Sequence, residues 1–238
     1  FINGSDLVTV NSLQEVSEDM IAGNTLIHTA WSNVQNTVDV LHYLHACEQV
    51  KFISRIAKFK PAKVIITGTC YEFGLRTGPV SVKDVPQPNT PYAQAKYFVQ
   101  SASERILKEV NVNFVWARLF YIYGHGQHEK SIYSQLMNSI ERRDKSFNMS
   151  KGEQLFDYMN VEDVAEKLSV LVNINTPTLV HICNGYPTSL RSLVEMILLE
   201  NESTIKLNLG FYPYRKTDSL AIWGAESFGS QLHIFEER

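Results

Sequence analysis

Cysteine is scarce in this chain of 238 residues: Cys47, Cys70 and Cys183 stand far apart, and no two form a CxxC pair. That excludes a disulfide framework and offers no metal-ligand spacing, so a reducing cytoplasm and no bound metal are expected. No apolar run reaches the roughly 18 residues of a membrane span, so no membrane partner is expected. Lysine and arginine form no cluster and the net charge is -3, which argues against nucleic acid as a partner. The first six residues lack the basic-then-apolar order of a secretory leader. Repeats and low-complexity tracts are missing as well. What is there, 44% hydrophobic and 20% charged, has the balance of a globular core, at a length suited to one large domain or two closely packed ones.

Short β-rich runs alternate with longer helical ones. Leu26-Ile27-His28-Thr29-Ala30 reads as a buried strand. Residues 34–58 carry Val38, Leu41, Leu44, Ala46, Val50, Ile53 and Ile56 at helical spacing. Lys63-Val64-Ile65-Ile66-Thr67-Gly68 is a second buried strand, and a loop rich in glycine and proline follows. Thr90 can cap and Pro91 suits a first helical position, so a helix is predicted from there to about Val110. Asn113-Phe114-Val115-Trp116-Ala117-Arg118-Leu119 is a third strand. This order predicts an α/β fold, a parallel sheet with helices on both faces and ligands at the carboxyl ends of its strands. Beyond Gly124 helices are predicted near 131–142, 161–172 and 189–200, with a strand at Leu179-Val180-His181-Ile182. Residues 1–124 are read as the main domain. Residues 125–238 are read as mostly a smaller substrate-covering lobe, with some elements returning to the main sheet.

The strongest chemical signal is Tyr92-Ala93-Gln94-Ala95-Lys96. Residues four apart share one helix face. A free tyrosine ionises only near pH 10. A neighbouring ammonium favours the phenolate, so the pair is expected to form a proton shuttle usable near neutral pH. Taken alone, the spacing describes many solvated helix faces. Upstream, Thr67-Gly68-Thr69-Cys70-Tyr71-Glu72-Phe73-Gly74 leaves a buried strand end, where a hydroxyl can meet the oxygen that Tyr92 protonates. Thr69 is the first candidate for that hydroxyl and Thr67 the second.

Thr69 with Tyr92-x-x-x-Lys96 resembles the Ser/Thr-Tyr-Lys triad of the extended short-chain dehydrogenase/reductase group, the NAD-dependent epimerase/dehydratase family. Thr69 stands five positions before Gly74, as in that group's S-x-x-x-Y-G pattern, with Phe73 in place of the usual Tyr. The resemblance runs along the chain. Asp6-Leu7 resembles G-D-L, and Leu26 to Trp31 resembles V-I-H-L-A-A. Arg118-Leu119-Phe120-Tyr121-Ile122-Tyr123-Gly124-His125-Gly126-Gln127 resembles R-L-F-x-V-Y-G-P-G-Q. Gly152 to Ala165 resembles G-x-x-x-R-D-Y-I-H-V-x-D-V-A, and Asn184-Gly185 with Ser189-Leu190 resembles N-x-G-x-x-x-S-L. Pro213 to Asp218 resembles the tail of sugar-nucleotide enzymes from surface-polysaccharide pathways.

The resemblance implies a Rossmann-like doubly wound sheet, NAD or NADP as cofactor, a nucleotide-sugar substrate and a homodimer through helices 34–58 and 91–110. It makes Thr69, Tyr92 and Lys96 catalytic. Asp6, His28, Thr29, Ala30, Thr67, Phe120 and Tyr121 would meet the cofactor beside Tyr92 and Lys96. Thr69, Cys70, Tyr71, Gln127 and Arg215 would meet the substrate. Two departures stand out. The G-x-x-G-x-x-G turn that holds a pyrophosphate is missing, as if the chain began about two strand-helix units late. Phe156 and Asn160 replace the family Arg and His, and a phenyl ring cannot replace an Arg–phosphate clamp. Arg215, or else Lys151, is left to hold the diphosphate. Family 4,6-dehydratases carry Thr-Asp-Glu where this chain has Thr69-Cys70-Tyr71, which disfavours water elimination. The expectation is hydride transfer at C4 of a nucleotide-linked hexose or deoxyhexose, by a 4-reductase or a 4-epimerase of O-antigen type. The alternative is a non-catalytic binding or scaffold member of the same fold.

Overall fold

Four parallel strands, Thr25–His28, Lys63–Thr69, Asn113–Leu119 and Leu179–Ile182, lie side by side in that order. They belong to a computed structural model that describes residues 10–174, 178–214 and 219–231. Lys63–Thr69 is buried along its whole length, as a strand covered on both faces must be. Its alternation sorts the two cores. Val64 and Ile66, with Trp116 from the next strand, pack under the helices Leu41–Ala57 and Pro91–Glu109. Ile65, Val115 and Ala117 face the opposite way, against Val164, Leu168 and Leu171 of the helix Val161–Asn173. Helices on both faces of a parallel sheet make this the expected α/β, Rossmann-like arrangement.

A further core is built from residues after 125. Leu136 of the helix Ile132–Glu141 meets Leu193, Ile197 and Leu198 of the helix Leu190–Glu200, over Phe147 and Ile205. The pair of short strands Ser146–Asn148 and Lys206–Asn208 edges it. Helix starts follow local side-chain chemistry. Thr90, Ser131, Asn160 and Ser189 each accept a bond from a backbone N–H of the first turn. Asn160, where the resemblance would place a His, is therefore a cap.

Two expectations are corrected. The first helix begins at Leu41, not at 34. Asn33 takes a left-handed backbone (φ 58°) and donates to Asp39, whose other carboxylate oxygen accepts from Leu41 N–H. This turn leaves Val34 and Val38 exposed. The first strand ends at His28, so Thr29 and Ala30 already belong to the connection that follows.

Candidate active site

The buried strand Lys63–Thr69 ends in a tight helical turn, Cys70–Phe73, that Thr69 caps through its hydroxyl and Tyr71 N–H (3.3 Å). Beside it runs the helix Pro91–Glu109, which presents Tyr92, Lys96 and Val99 inward at helical spacing. Tyr92 is hydrogen-bonded to the Thr69 side chain. Lys96 Nζ donates to the Thr67 carbonyl at 2.9 Å and sits 4.3 Å from the centre of the Trp31 ring. The three residues expected to be catalytic are thus brought together. Between the two candidate hydroxyls, Thr69 is the one that meets Tyr92, while Thr67 meets the group through its carbonyl.

The expected electrostatics need correction. Burial pushes the Tyr92 phenol well above its ordinary value, and the Thr69 hydrogen bond only partly opposes that rise. Lys96 is pulled down to about 8 by burial, with Glu72 opposing. The chain alone therefore holds Tyr92 as the phenol at neutral pH. Lys96 turns toward the Thr67 carbonyl and the indole, and its neighbourhood to Tyr92 does not make the phenolate.

Trp31 is itself held. Its indole Nε1 donates to His42 Nδ1 at 3.1 Å. An indole can only donate, so His42 Nδ1 accepts and its Nε2–H must donate to the Asn36 carbonyl at 3.0 Å. That fixes one neutral tautomer, in keeping with burial lowering the His42 pKa. His28, at the end of its strand, is paired with Gln49 and buried, and Gln49 Nε2 also donates to the Ala30 carbonyl at 3.3 Å.

Next to this group opens a cavity of about 670 Å³. Tyr71 forms part of its wall and stands edge-on to Tyr92, with ring centres 6.1 Å apart. Tyr121 and Phe156 line it as a parallel stack at 3.8 Å, with Tyr158 set edge-on against both. Gln127 lines it too and donates to the Ile122 carbonyl at 2.7 Å. Among the described residues lining the cavity, Lys130 is the one charged side chain, a residue that the motif reading passed over.

Two residues expected at ligand sites are core instead. Cys70 is buried with Phe73, Val80 and Cys183 and does not line the cavity. The Phe120 side chain packs in the same cluster, edge-on to His181. Asp6 and Arg215 lie outside the described residues. Asp157, inside the stretch that resembles R-D-Y, has a structural part: it accepts from Asn184 N–H (2.7 Å), Gly185 N–H (2.8 Å) and Gly224 N–H (3.3 Å). Among the described residues no group of His, Cys, Asp or Glu is arranged to hold a metal. No described helix is long and apolar enough to cross a membrane.

Comparison with known proteins agrees with this layout. The profile of the NAD dependent epimerase/dehydratase family matches residues 8–182. The chain is 27% identical over 233 residues to dTDP-6-deoxy-L-talose 4-dehydrogenase (NAD(+)) of Aggregatibacter actinomycetemcomitans, covering 95% of this chain and 86% of that one. In structure it resembles UDP-N-acetylglucosamine 4-epimerase from Methanobrevibacter ruminantium M1 in complex with UDP-N-acetylmuramic acid. There the TM-score is 0.81 at 19% identity, over 92% of this chain and 74% of that one. It also resembles MoeE5 in complex with UDP-glucuronic acid and NAD, with a TM-score of 0.76 at 19% identity, over 93% and 77% of the two chains.

Proposed function

This chain belongs to the NAD dependent epimerase/dehydratase family, and we propose that it moves hydride at C4 of a nucleotide-linked deoxyhexose, with Tyr92 as the acid/base. One observation carries the reading: the Tyr92 phenol is bonded to Thr69 at the carboxyl end of a buried parallel strand, one ring away from a large cavity. A relative named dTDP-6-deoxy-L-talose 4-dehydrogenase (NAD(+)) supports C4 chemistry on a deoxyhexose. An aromatic wall suits the apolar face and methyl group of such a sugar.

The residues present fit a nicotinamide dinucleotide. Lys96 is a buried cation with one described acceptor, so it has donors left for ribose hydroxyls. His28, Thr29, Ala30, Thr67 and Tyr121 are the residues that would lie along the cofactor, NAD in the first instance. The bound cofactor supplies or accepts the hydride. In reduction Tyr92 gives its proton to the alkoxide formed at C4, and the buried phenol is already in the form that a donor needs. In oxidation Tyr92 takes the C4 hydroxyl proton, and the Thr69 bond favours the phenolate that this direction requires. With Phe156 where the resemblance places an arginine, Lys130 in the cavity wall joins Arg215 as a cation for the diphosphate. No carboxylate lines the cavity among the described residues, so a diphosphate meets no like charge there.

A second copy of the chain is the proposed partner. Leu41 and Leu44 on one helix and Phe98 on its neighbour are all about half exposed or more, on the two helices that pack together. Sedimentation at micromolar concentration should give a dimer, and a monomer would reject it.

The test of function is a panel of nucleotide sugars with NAD and its reduced form, on the wild type and on Tyr92→Phe. Turnover in the wild type and its loss in the variant, with dinucleotide binding retained, is the expected result. Retained activity in Tyr92→Phe would remove Tyr92 from the chemistry. Binding without turnover of any sugar in the wild type would favour a non-catalytic member of the family.

A further inference from the structure

The chemistry above leaves one acid beside the triad without a part. Glu72 is fully buried behind Thr69 and does not line the cavity, so it cannot work on a substrate directly. Its Oε1 accepts from Thr69 N–H at 2.9 Å and from Trp116 Nε1 at 3.0 Å. Its Oε2 accepts from Arg118 Nε at 2.6 Å. Arg118, also buried, continues to Gln100 through Nη2 at 3.0 Å. Gln100 stands one helical turn beyond Lys96, and Lys96 one turn beyond Tyr92. The carboxylate thereby ties three elements together: the turn that carries Thr69, the strand Asn113–Leu119 and the helix that carries Tyr92 and Lys96.

We propose that Glu72 is a positioning residue for Thr69, Tyr92 and Lys96, fixing the turn that presents the Thr69 hydroxyl and serving as the buried negative charge against which the helix pair is set. This rests on the reading of Tyr92 and Lys96 as the acid/base pair. A carboxylate out of water is stable only with a full set of donors, and a backbone N–H, an indole and a guanidinium supply it here. The surroundings are built to admit it. A Cβ on Gly68 would run into the Trp116 indole and stand 2.8 Å from Glu72 Oε1, so only glycine lets the indole and the carboxylate close over that strand.

A charge in so dry a place acts on its neighbours. Facing Glu72 are Arg118 and Trp116 from the strand and the Thr69 N–H of its own turn, and its charge acts on Tyr92 and Lys96 of the helix. Facing Lys96 are the Thr67 carbonyl, Trp31 and the neutral imidazoles of His28 and His42. Glu72 opposes the burial that would strip Lys96 of its proton, and it disfavours the Tyr92 phenolate. Its effect is to hold the pair as ammonium and phenol. A carboxylate that merely stapled the fold through Arg118 would alter melting and leave the titration of Lys96 where it was.

The test reads that titration in cofactor-free protein by carbon-13 NMR of lysines labelled at Cε, with the Lys96 signal assigned by its loss in Lys96→Met. Wild-type Lys96 should titrate near 8. The variant is Glu72→Gln with Arg118→Met, which removes both charges so that no lone guanidinium stays buried. Read against Arg118→Met alone, so that only the Glu72 charge differs, a lower Lys96 midpoint in the folded double variant is expected; an unmoved midpoint overturns the proposal. Should the double variant fail to fold, Glu72→Asp decides. It keeps the charge but draws it back from Thr69 N–H, so Lys96 should stay near the wild-type midpoint while kcat falls about tenfold with KM nearly constant. Wild-type kcat in Glu72→Asp would overturn the positioning role. Because the midpoint needs no turnover, a wild type inactive on every sugar would reject the proposed function while the NMR shift still judged Glu72.

Discussion

Replacing Thr69 with valine takes away one hydroxyl at nearly constant volume, and the structure separates what that costs the fold from what it costs the chemistry. The hydroxyl accepts from Tyr71 N–H at 3.3 Å, a long cap bond whose loss costs under about 1 kcal/mol. For a chain of this length that is a fall in Tm of roughly 2–4 °C. The hydroxyl's other partner is the buried Tyr92 phenol. A buried polar group left without its bond costs about 1–3 kcal/mol. Placed on the transition state, that is about a 5- to 150-fold loss in kcat. The sign of the pH effect also follows. The Thr69 bond opposes the upward push of burial on Tyr92, so its removal drives the phenol pKa further up. In the oxidising direction, where Tyr92 must lose its proton, the loss is largest near neutral pH and the rate recovers only at higher pH than in the wild type. In the reducing direction the phenol persists to higher pH, so the alkaline decline starts later. Nicotinamide absorbance followed across pH in both directions gives the profiles, and calorimetry gives Tm. A wild-type kcat with unmoved limbs would refute the reasoning. So would a melting loss large enough to account for the whole deficit.

Two other substitutions probe the cavity and the frame. Lys130→Met removes the one charge among the described lining residues, and titration of the nucleotide sugar by calorimetry should show affinity falling about tenfold at low salt, with the gap narrowing as salt rises. Lys63→Met strips the Leu171, Val172 and Ile174 carbonyls of a buried ammonium that meets them at 2.7, 3.0 and 2.8 Å. A loss of about 2–4 kcal/mol follows at roughly 1 kcal/mol per bond, read as a Tm lower by roughly 5–15 °C with kcat at the permissive temperature unchanged.

The strands were legible because a doubly covered parallel strand is a continuous apolar run, and two of them, Asn113–Leu119 and Leu179–Ile182, fall at the expected residues. The helix starts at Leu41 and not at 34 for an equally physical reason. Val34 and Val38 have helical spacing, but a left-handed Asn33 and an Asp39 cap decide where the helix can begin, and apolar period is blind to both. At the site, spacing placed Thr69, Tyr92 and Lys96 together because two of them share a helix face and the third ends a buried strand. Spacing could not show what each side chain touches. Lys96 reaches the Thr67 carbonyl and the Trp31 ring, so burial and not the ammonium sets the ionisation of Tyr92.

Glu72 and Arg118 make the same point from the other side. In the sequence one is a turn acid and the other a charge near a strand end, both ordinary surface features, and 46 positions separate them. Their pairing depends on which strands are neighbours: Gly68 lies opposite Arg118 in register, so the turn after Thr69 necessarily hangs over the Arg118 side chain. Gly68 then has to lack a Cβ for the indole and the carboxylate to fit. The same logic applies to the position where the family has an arginine. Phe156 lies flat against Tyr121 with the rings 6° from parallel, and Tyr158 closes edge-on against both. An arginine put back at 156 would have to break that stack and carry a charge into a buried apolar cluster. An arginine clamp therefore cannot be set at 156 by one substitution, and under the proposed function a cation for a diphosphate would have to come from a position that already reaches the cavity, as Lys130 does.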